Sequence, residues 1–208
     1  MVALVTIEGL TKRFPKQAEP ALRSVSTQIR SGHIVGLVGP DGSGKTTFLR
    51  LIAGLLRADE GGIDVGGFDP VANAKEVRAR IAYMPQRFGL YEDLSVEENL
   101  NLYADLRGLV GSARKATFER LLDFTGLAPF TGRLAGALSG GMKQKLGLAC
   151  ALVVTPELLL LDEPSVGVDP ISRRELWRMV SRLTDEGITV VWATAYLDEA
   201  EKCETVLV

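Results

Sequence analysis

The chain begins with alternating apolar and polar positions, a pattern that is typical of half-buried β-strands. Residues 2–10 and residues 24–30 both alternate in this way, so we expect an antiparallel β element at the amino end. Ile34–Val38 is instead apolar apart from one glycine and predicts a strand that is buried on both faces. After residue 44 the spacing becomes helical and predicts a helix that runs to about Leu56. The first part of the chain therefore predicts strands followed by a helix.

Helical patterns dominate the middle of the chain. Residues 95–107 are amphipathic, and Ser95 and Glu98 have the spacing of a capping box at the start of a helix. A second amphipathic helix is predicted over residues 113–124. The segment 87–155 therefore predicts a helical lobe.

The rest of the chain alternates between short strands and helices. We expect strands at 63–65, 81–84, 158–162, 188–192 and 205–208, and helices at 71–80, 146–153, 170–185 and 197–203. Residues 1–86 and 156–208 together predict an α/β core with a mostly parallel sheet, into which the helical lobe 87–155 is inserted.

The composition changes this picture little. The chain has 208 residues, of which 46% are hydrophobic and 24% are charged, as in an ordinary globular protein. The formal net charge of −2 gives no electrostatic basis for nucleic acid as a partner. Cys150 and Cys203 lie in apolar helical segments and predict free thiols in a reducing compartment. No signal peptide opens the sequence, and its longest apolar run is about half of a membrane span. We therefore expect a cytoplasmic location.

A glycine-rich segment joins the predicted buried strand to the predicted helix. It reads Gly39, Pro40, Asp41, Gly42, Ser43, Gly44, Lys45, Thr46. In this context the segment predicts a phosphate-binding loop, in which backbone N–H groups curl around an anion at a helix start. Lys45 can reach the β- and γ-phosphates, and the Thr46 hydroxyl can ligate Mg²⁺. A glycine-rich turn without a ligand is the alternative, and the fixed residues and their flanks argue against it. We predict a nucleoside triphosphate site.

Two acids follow the run of four leucines at 158–161. Asp162 is expected at the rim of the sheet beside the phosphate loop, where its carboxylate can hold Mg²⁺ through water. Glu163 could polarise the attacking water. The alternative is a pair of solvated acids at a strand end. Upstream, Phe14 lies in a turn and is either a hydrophobic plug or a platform on which adenine stacks.

A second candidate anion site precedes the apolar helix at 146–153. Ser139 is a natural N-cap there, and Gly140 and Gly141 leave N–H groups exposed at a helix start. One triphosphate cannot easily use two such helix ends within one chain, so a second copy of the domain is the economical explanation. The glycine pair could alternatively form only a turn.

These motifs, in this order and spacing, resemble the ATP-binding domain of ABC transporters over essentially the whole chain. The matching parts are the loop at 39–46, Gln86, the LSGGMKQ signature at 138–144, LLLLDE at 158–163 and Gly167-Val168-Asp169. Details at 88–94 and 196–200 resemble the bacterial drug- or sodium-export branch of the family. The resemblance implies a P-loop nucleotidase core and a head-to-tail dimer that sandwiches two ATP molecules.

The resemblance also implies roles for individual residues. The implied nucleotide contacts are Phe14, Gly39, Pro40, Asp41, Gly42, Ser43, Gly44, Lys45, Thr46 and Thr47. The implied Mg²⁺ contacts are Thr46, Gln86 and Asp162, and the implied catalytic residues are Glu163, Lys45 and Gln86. Ser139, Gly140, Gly141 and Gln144 would serve the nucleotide of the partner domain, and Asp169 would link the two sites of the dimer.

One residue departs from the family pattern. A histidine normally follows the strand after residue 169, in a Thr-His-x-x-x-Glu-Ala arrangement, whereas this chain has Ala195 between Thr194 and Tyr196. A methyl group cannot hydrogen-bond a γ-phosphate, so we expect ATP binding to survive and hydrolysis in this site to be slow. Compensation by Thr194 or Tyr196 stays open, and so does an engineered origin of the alanine. His33 cannot substitute by its position.

The resemblance implies two partners. One is a second ATPase domain, in a homodimer or a pseudo-heterodimer, and the other is a membrane permease that contacts residues 86–98. We therefore expect an ATPase of an export system at the cytoplasmic face of the cell membrane. The alternatives are a soluble ABC ATPase that acts on the ribosome or DNA, and a regulatory module that does not hydrolyse ATP. Related domains continue further, so we expect this chain to be part of a longer protein.

Overall fold

A computed structural model describes residues 3–15, 18–86 and 89–208. In chain order, the elements of the described residues are β1 (Ala3–Lys12), β2 (Leu22–Arg30), β3 (Ile34–Val38), α1 (Lys45–Ile52), β4 (Glu60–Val65), α2 (Ala74–Arg80), β5 (Ile81–Met84), α3 (Val96–Leu106), α4 (Gly111–Thr125), α5 (Gly140–Ala151), β6 (Leu158–Asp162), α6 (Pro170–Asp185), β7 (Thr189–Thr194), α7 (Leu197–Ala200) and β8 (Thr205–Leu207). Two single-turn 3-10 helices, Ala128–Phe130 and Ala135–Ala137, precede α5.

The amino-terminal strands form a small antiparallel sheet in the order β2-β1-β4. Val5 of the central strand pairs with Ile29 on one side and with Val65 on the other, and all three side chains are buried. The alternation along each strand places the three apolar side chains on the same face of the sheet, as the period of two predicts. The predicted antiparallel element is therefore confirmed.

The second sheet has five strands in the order β5-β6-β7-β3-β8. The pairs β6–β7, β7–β3 and β3–β8 are parallel, so their carboxyl ends lie at the same edge of the sheet. Every residue of β3, β6 and β7 is buried, which explains their near-continuous apolar sequences. The strand order brings the chain that leaves β3 and the chain that leaves β6 to opposite sides of the end of β7. The predicted α/β fold with a mostly parallel sheet is confirmed.

Two helices end earlier than predicted. α1 ends at Ile52 and not near Leu56, because Gly54 has a φ of +66° and breaks the helical conformation. α7 ends at Ala200 and not at residue 203, since the chain turns there and enters β8 at Thr205. Helix α6, in contrast, has the predicted bounds.

The chain divides into two compact units. The first contains the described residues of Met1–Tyr83, Pro156–Glu163 and Leu183–Val208 and includes most of both sheets. The second contains those of Met84–Thr155 and Pro164–Arg182, where α5 packs against α3 and α4. Residues 164–182, which the sequence pattern predicts to be part of the core, belong to the second unit here. Within the described parts of the chain, no helix is both long and apolar enough to span a membrane.

Candidate functional site

The glycine-rich loop connects the end of β3 to the start of α1. Gly42 and Gly44 have φ values of +82° and +99°, a conformation that L side chains rarely adopt. A Cβ atom at Gly44 would also lie 2.5 Å from the Ala21 carbonyl oxygen. The backbone N–H of Ser43 donates to the Pro40 carbonyl at 3.1 Å, which closes the loop. The loop therefore requires glycine at these positions and delivers free N–H groups at a helix start.

The Lys45 side chain lies inside this loop and is only 5% exposed. Its Nζ donates to the carbonyl oxygens of Gly39 at 2.7 Å and Pro40 at 3.1 Å. It also forms an ion pair with Oε1 of Glu163 at 3.1 Å. The ammonium group is thus held between the loop and the acid at the end of β6, and its low exposure strengthens its electrostatic action.

Glu163 takes an unusual backbone conformation directly after β6. Its φ of +51° is in the left-handed region, and its backbone N–H donates to the Ala193 carbonyl at 3.0 Å. Residues outside glycine rarely adopt this conformation, which tends to occur at functional sites. The predicted position of Glu163 beside the phosphate loop is explained by this turn and by its pairing with Lys45.

Asp162 is almost fully buried, and both of its carboxylate oxygens accept a hydrogen bond. Oδ1 accepts from the Thr46 hydroxyl at 3.0 Å, and Oδ2 accepts from the Tyr83 hydroxyl at 2.9 Å. Burial raises the pKa of Tyr83 to about 12, and the Asp162 carboxylate adds to the increase. The Tyr83 phenol therefore stays protonated and a donor at any ordinary pH. No sequence motif pointed to Tyr83 as a partner of Asp162.

The donor set fits Mg²⁺ that arrives with a nucleotide. Thr46 and Asp162 provide hard oxygen atoms beside the phosphate-binding loop, and Mg²⁺ typically takes one or two carboxylates, waters and substrate phosphates. Among the described residues, no group of three or more His, Cys, Asp or Glu side chains could hold a metal ion on its own. The residues present thus suit a metal–nucleotide complex and not a dedicated metal cage.

The segment after β7 is fixed by a buried carboxylate. Glu199 is 1% exposed, and its Oε2 accepts from the Thr194 hydroxyl at 2.6 Å and from Trp192 Nε1 at 2.9 Å. The Thr194 hydroxyl accepts from the Tyr196 backbone N–H at 3.0 Å, and the Thr194 carbonyl accepts from Gly39 N–H at 3.3 Å. This network ties the segment to the phosphate loop. The sequence alone indicates Glu199 only as the glutamate of the Thr-His-x-x-x-Glu-Ala arrangement.

Ala195 lies within this braced segment and is exposed. The Thr194 hydroxyl, in contrast, is buried and bonded on both sides, so it is not available to a ligand. Of the two residues considered for compensation, Thr194 therefore has its hydroxyl engaged within the protein in this structure. His33 forms a contact with Glu204 elsewhere in the first unit.

Phe14, the predicted adenine platform, is half-buried in the turn after β1. The Lys12 ammonium lies 5.7 Å from the centroid of its ring. Asp59 holds this turn, because its carboxylate accepts from the Arg13 backbone N–H at 2.6 Å and from Lys12 at 3.0 Å. The Arg13 hydrogen bond, followed by that of Lys12, lowers the pKa of Asp59. The stacking role of Phe14 stays a prediction.

The signature segment begins α5 as predicted. The Ser139 hydroxyl caps the helix by accepting from Met142 N–H at 3.3 Å, and Ser139 and Gly140 are exposed. Gly141 is buried against α6, and a Cβ atom there would lie 2.4 Å from Ser172 Oγ. Gln144 is 1% exposed, and its Oε1 has no hydrogen-bond partner among the described residues. Only Ser139 and Gly140 of the four predicted residues therefore present themselves at the surface.

The two remaining predicted positions lie in the second unit. Asp169 caps α6, because its Oδ1 accepts from the backbone N–H groups of Ile171 and Ser172 at 3.0 Å each. The hydrogen bonds from Ser172 lower the pKa of Asp169. Gln86 is exposed. The predicted permease contact at 86–98 includes residues 87 and 88, which lie outside the described residues.

The sequence profile of the family described as ABC transporter matches residues 22–166, well over half of the chain. The chain is 63% identical over 205 residues to the "Probable multidrug ABC transporter ATP-binding protein YbhF" of Escherichia coli (strain K12), which covers 99% of this chain and 36% of that protein. It is 38% identical over 197 residues to the "Doxorubicin resistance ATP-binding protein DrrA" of Mycobacterium tuberculosis (strain CDC 1551 / Oshkosh). This match covers 95% of this chain and 60% of that protein. The chain thus spans little more than a third of the first relative's length.

A solved structure shares the fold. The dimeric structure of a post-hydrolysis state of an ATP-binding cassette bound to ADP and Pi superposes with a TM-score of 0.87 at 26% identity. The match covers 98% of this chain and 93% of that chain.

Proposed function

Because this chain belongs to the ABC transporter family, we propose that it binds and hydrolyses ATP as the ATP-binding part of a multidrug exporter. The observation that carries the proposal is the cluster of Lys45, Thr46, Asp162 and Glu163 at one edge of the parallel sheet. The relatives named for multidrug transport and drug resistance support the export role.

In the proposed site, each residue acts on a different part of the nucleotide. Backbone N–H groups of residues 44–47, at the start of α1, bind the phosphates together with Lys45. Thr46 and Asp162 hold Mg²⁺, which supplies charge neutralisation at the phosphates when bound. The role of Gln86 at the metal stays a prediction.

Lys45 and Glu163 are coupled in this proposal. Their ion pair at 3.1 Å neutralises the acid in a nearly dry environment. Phosphate oxygens compete with the Glu163 carboxylate for Lys45, so binding releases the carboxylate. Glu163 then accepts a proton from the water that attacks the γ-phosphate.

The exposed part of the signature supports a second domain as partner. Ser139 and Gly140 lie at the surface at the start of α5, where N–H groups attract an anion. We propose that they complete the ATP site of a second copy or of a related domain. A membrane permease would bind in the region of residues 86–98, and the chain would act at the cytoplasmic face of the cell membrane.

Ala195 favours a second candidate, a site that binds ATP and turns it over rarely or never. The exposed methyl group offers no hydrogen bond, and the Thr194 hydroxyl is committed to Glu199 and Tyr196. Such a domain would serve by completing an efficient site on its partner.

ATP binding and single-turnover hydrolysis of the purified protein test both candidates. We expect tight Mg²⁺-dependent binding, loss of binding in Lys45→Ala, and retained binding without turnover in Glu163→Gln. The loss of one preorganised polar group at the reacting phosphate lowers the rate of hydrolysis by about 10²–10³. Unchanged turnover in Glu163→Gln would contradict the assigned role of the acid. Binding without any product in the wild-type protein would select the second candidate.

A further inference from the structure

The Asp162 carboxylate has one partner that the proposed mechanism uses and one that it does not. Thr46 donates to Oδ1 and is itself placed to hold Mg²⁺, whereas Tyr83 donates to Oδ2 at 2.9 Å and has no role in the proposed mechanism. Asp162 is 1% exposed, so water does not provide an alternative donor easily. The orientation of this carboxylate therefore depends on these two hydroxyl groups.

Tyr83 is built into the same framework as the phosphate loop. It lies on β5, the neighbour of β6 in the sheet, and its ring is half-buried. The Arg50 guanidinium also interacts with its phenolic oxygen. Arg50 follows Thr46 by four residues on α1, so the two lie on the same face of that helix. Helix α1 thus reaches one carboxylate oxygen directly and the other through Tyr83.

We infer that Tyr83 is a positioning residue for the metal–nucleotide site, and this inference rests on the proposed function. A carboxylate held on one oxygen can rotate about its Cβ–Cγ bond, whereas hydrogen bonds on both oxygens fix its plane. Tyr83 keeps Oδ1 of Asp162 turned toward Thr46, in the orientation that receives Mg²⁺ with the nucleotide. Groups that orient a metal-binding carboxylate in this way change metal affinity by about 10–100-fold when they are removed.

Tyr83→Phe removes only the hydroxyl and tests the inference. We expect Mn²⁺, used as a paramagnetic probe in the presence of ADP, to bind about tenfold more weakly in electron paramagnetic resonance titrations. The affinity for ADP without metal should stay within about twofold, because no phosphate contact is changed. In the ATPase assay, the Mg²⁺ concentration that gives the half-maximal rate should rise by a larger factor than the ATP concentration that gives the half-maximal rate.

Tyr103→Phe is the matched control. Tyr103 is also half-buried, and its hydroxyl donates to the Gly89 carbonyl at 2.8 Å in the second unit. Its loss should leave Mn²⁺ binding unchanged. Equal Mn²⁺ affinity in folded Tyr83→Phe and in the wild-type protein would overturn the inference and leave the proposed function intact. Failure of the wild-type protein to bind Mn²⁺ with ADP would overturn the proposed function itself.

Circular dichroism shows whether Tyr83→Phe is folded. If it is not, Arg50→Met carries the test, because Arg50 is exposed and its guanidinium interacts with the phenolic oxygen. Weaker Mn²⁺ binding in that variant supports the inference, and unchanged binding overturns it.

Discussion

At position 195, one methyl group stands where the resemblance to the family predicts an imidazole. The position is exposed, so a larger side chain can be accommodated, and the neighbouring Thr194 hydroxyl is already bonded to Glu199. In the segment 194–196, the Thr194 hydroxyl is thus already engaged, and compensation by Tyr196 stays open. Residue 195 is therefore a position at which a single change should raise turnover.

We predict that Ala195→His raises the basal ATPase rate by about tenfold or more, since one preorganised polar group in a transition state is worth about 10²–10³ in rate. Steady-state phosphate release measures the effect. Ala195→Phe adds a ring of similar size without a hydrogen bond and should give no increase. An equal increase in both variants, or none in either, would show that the missing hydrogen bond does not limit turnover.

At this scale, local motifs predicted which polar side chains lie near one another better than they predicted the surroundings of those side chains. The predicted roles of Lys45, Thr46 and Asp162 rest on these motifs, and the structure brings Lys45 beside Glu163 and Thr46 beside Asp162. The donor to the second oxygen of Asp162 could not be predicted, because Tyr83 lies about eighty residues away and meets it only through strand pairing. Gln144 is a motif residue whose burial the motif alone does not reveal.

Among the elements, helix α5 depends on close contact with the start of α6. A Cβ atom at Gly141 would lie 2.4 Å from Oγ and 2.5 Å from Cβ of Ser172. The Ser172 Cβ atom is attached to the helix backbone and cannot turn aside.

Gly141→Ala should therefore lower the free energy of unfolding by about 1–3 kcal/mol, the usual cost of overpacking, although alanine is the better helix former. Urea unfolding followed by circular dichroism measures this loss. Gly132→Ala is the control, since a Cβ atom there would meet nothing within 4 Å. The explanation fails if the two variants are equally stable.

The start of α3 should respond to pH. Ser95 N–H donates to Glu98 Oε2 at 2.8 Å, and the Ser95 hydroxyl accepts from Glu98 N–H at 3.2 Å. The backbone and side-chain hydrogen bonds to Ser95 lower the pKa of Glu98 in the folded protein. Because the folded-state pKa lies below the unfolded one, this contribution is present above about pH 4.3 and disappears as the pH falls through the folded-state pKa.

We therefore expect the stability difference between the wild-type protein and Glu98→Gln to shrink as the pH is lowered from 7 to below about 4. Urea unfolding at several pH values gives this difference. Glu119→Gln, on an exposed part of α4, controls for the loss of one carboxylate. A difference that grows toward low pH would have the wrong sign for a capping carboxylate.

The helices and strands were predictable because the hydrophobic periodicity along the chain was strong, whereas their ends depended on the backbone conformation of single residues. The capping box placed the start of α3 correctly, since its residues act locally. The end of α1 depends on the positive φ of Gly54, which a helical pattern alone does not reveal. Likewise, the division that assigns residues 164–182 to the second unit depends on packing and not on any local signal.

For the whole molecule, the proposed function requires two chains for one complete ATP site. Glu163→Gln should bind ATP without consuming it, so we expect this variant to become dimeric when ATP and Mg²⁺ are added. Light scattering coupled to size-exclusion chromatography measures the change in mass.

Ser139 provides a matched pair of variants for this experiment. Aspartate and asparagine are both good helix caps, so neither should disturb α5. Ser139→Asp in the Glu163→Gln background places a negative charge at the exposed helix start and should prevent the dimer, whereas Ser139→Asn should permit it. Dimers in both variants would mean that this surface does not face the partner's nucleotide.

The order of the parallel strands has a consequence for how such domains diverge. Because β7 lies between β3 and β6, the residue that leaves its carboxyl end emerges between the phosphate loop and the acids, yet it is exposed and packs against little. Its replacement should alter the speed of the proposed reaction at little cost to the fold. Catalytic rate and structural integrity are thus separable traits at this position. After gene duplication, two copies of such a domain can therefore come to differ in their rate of ATP hydrolysis, one fast and the other slow, while both continue to fold and to pair.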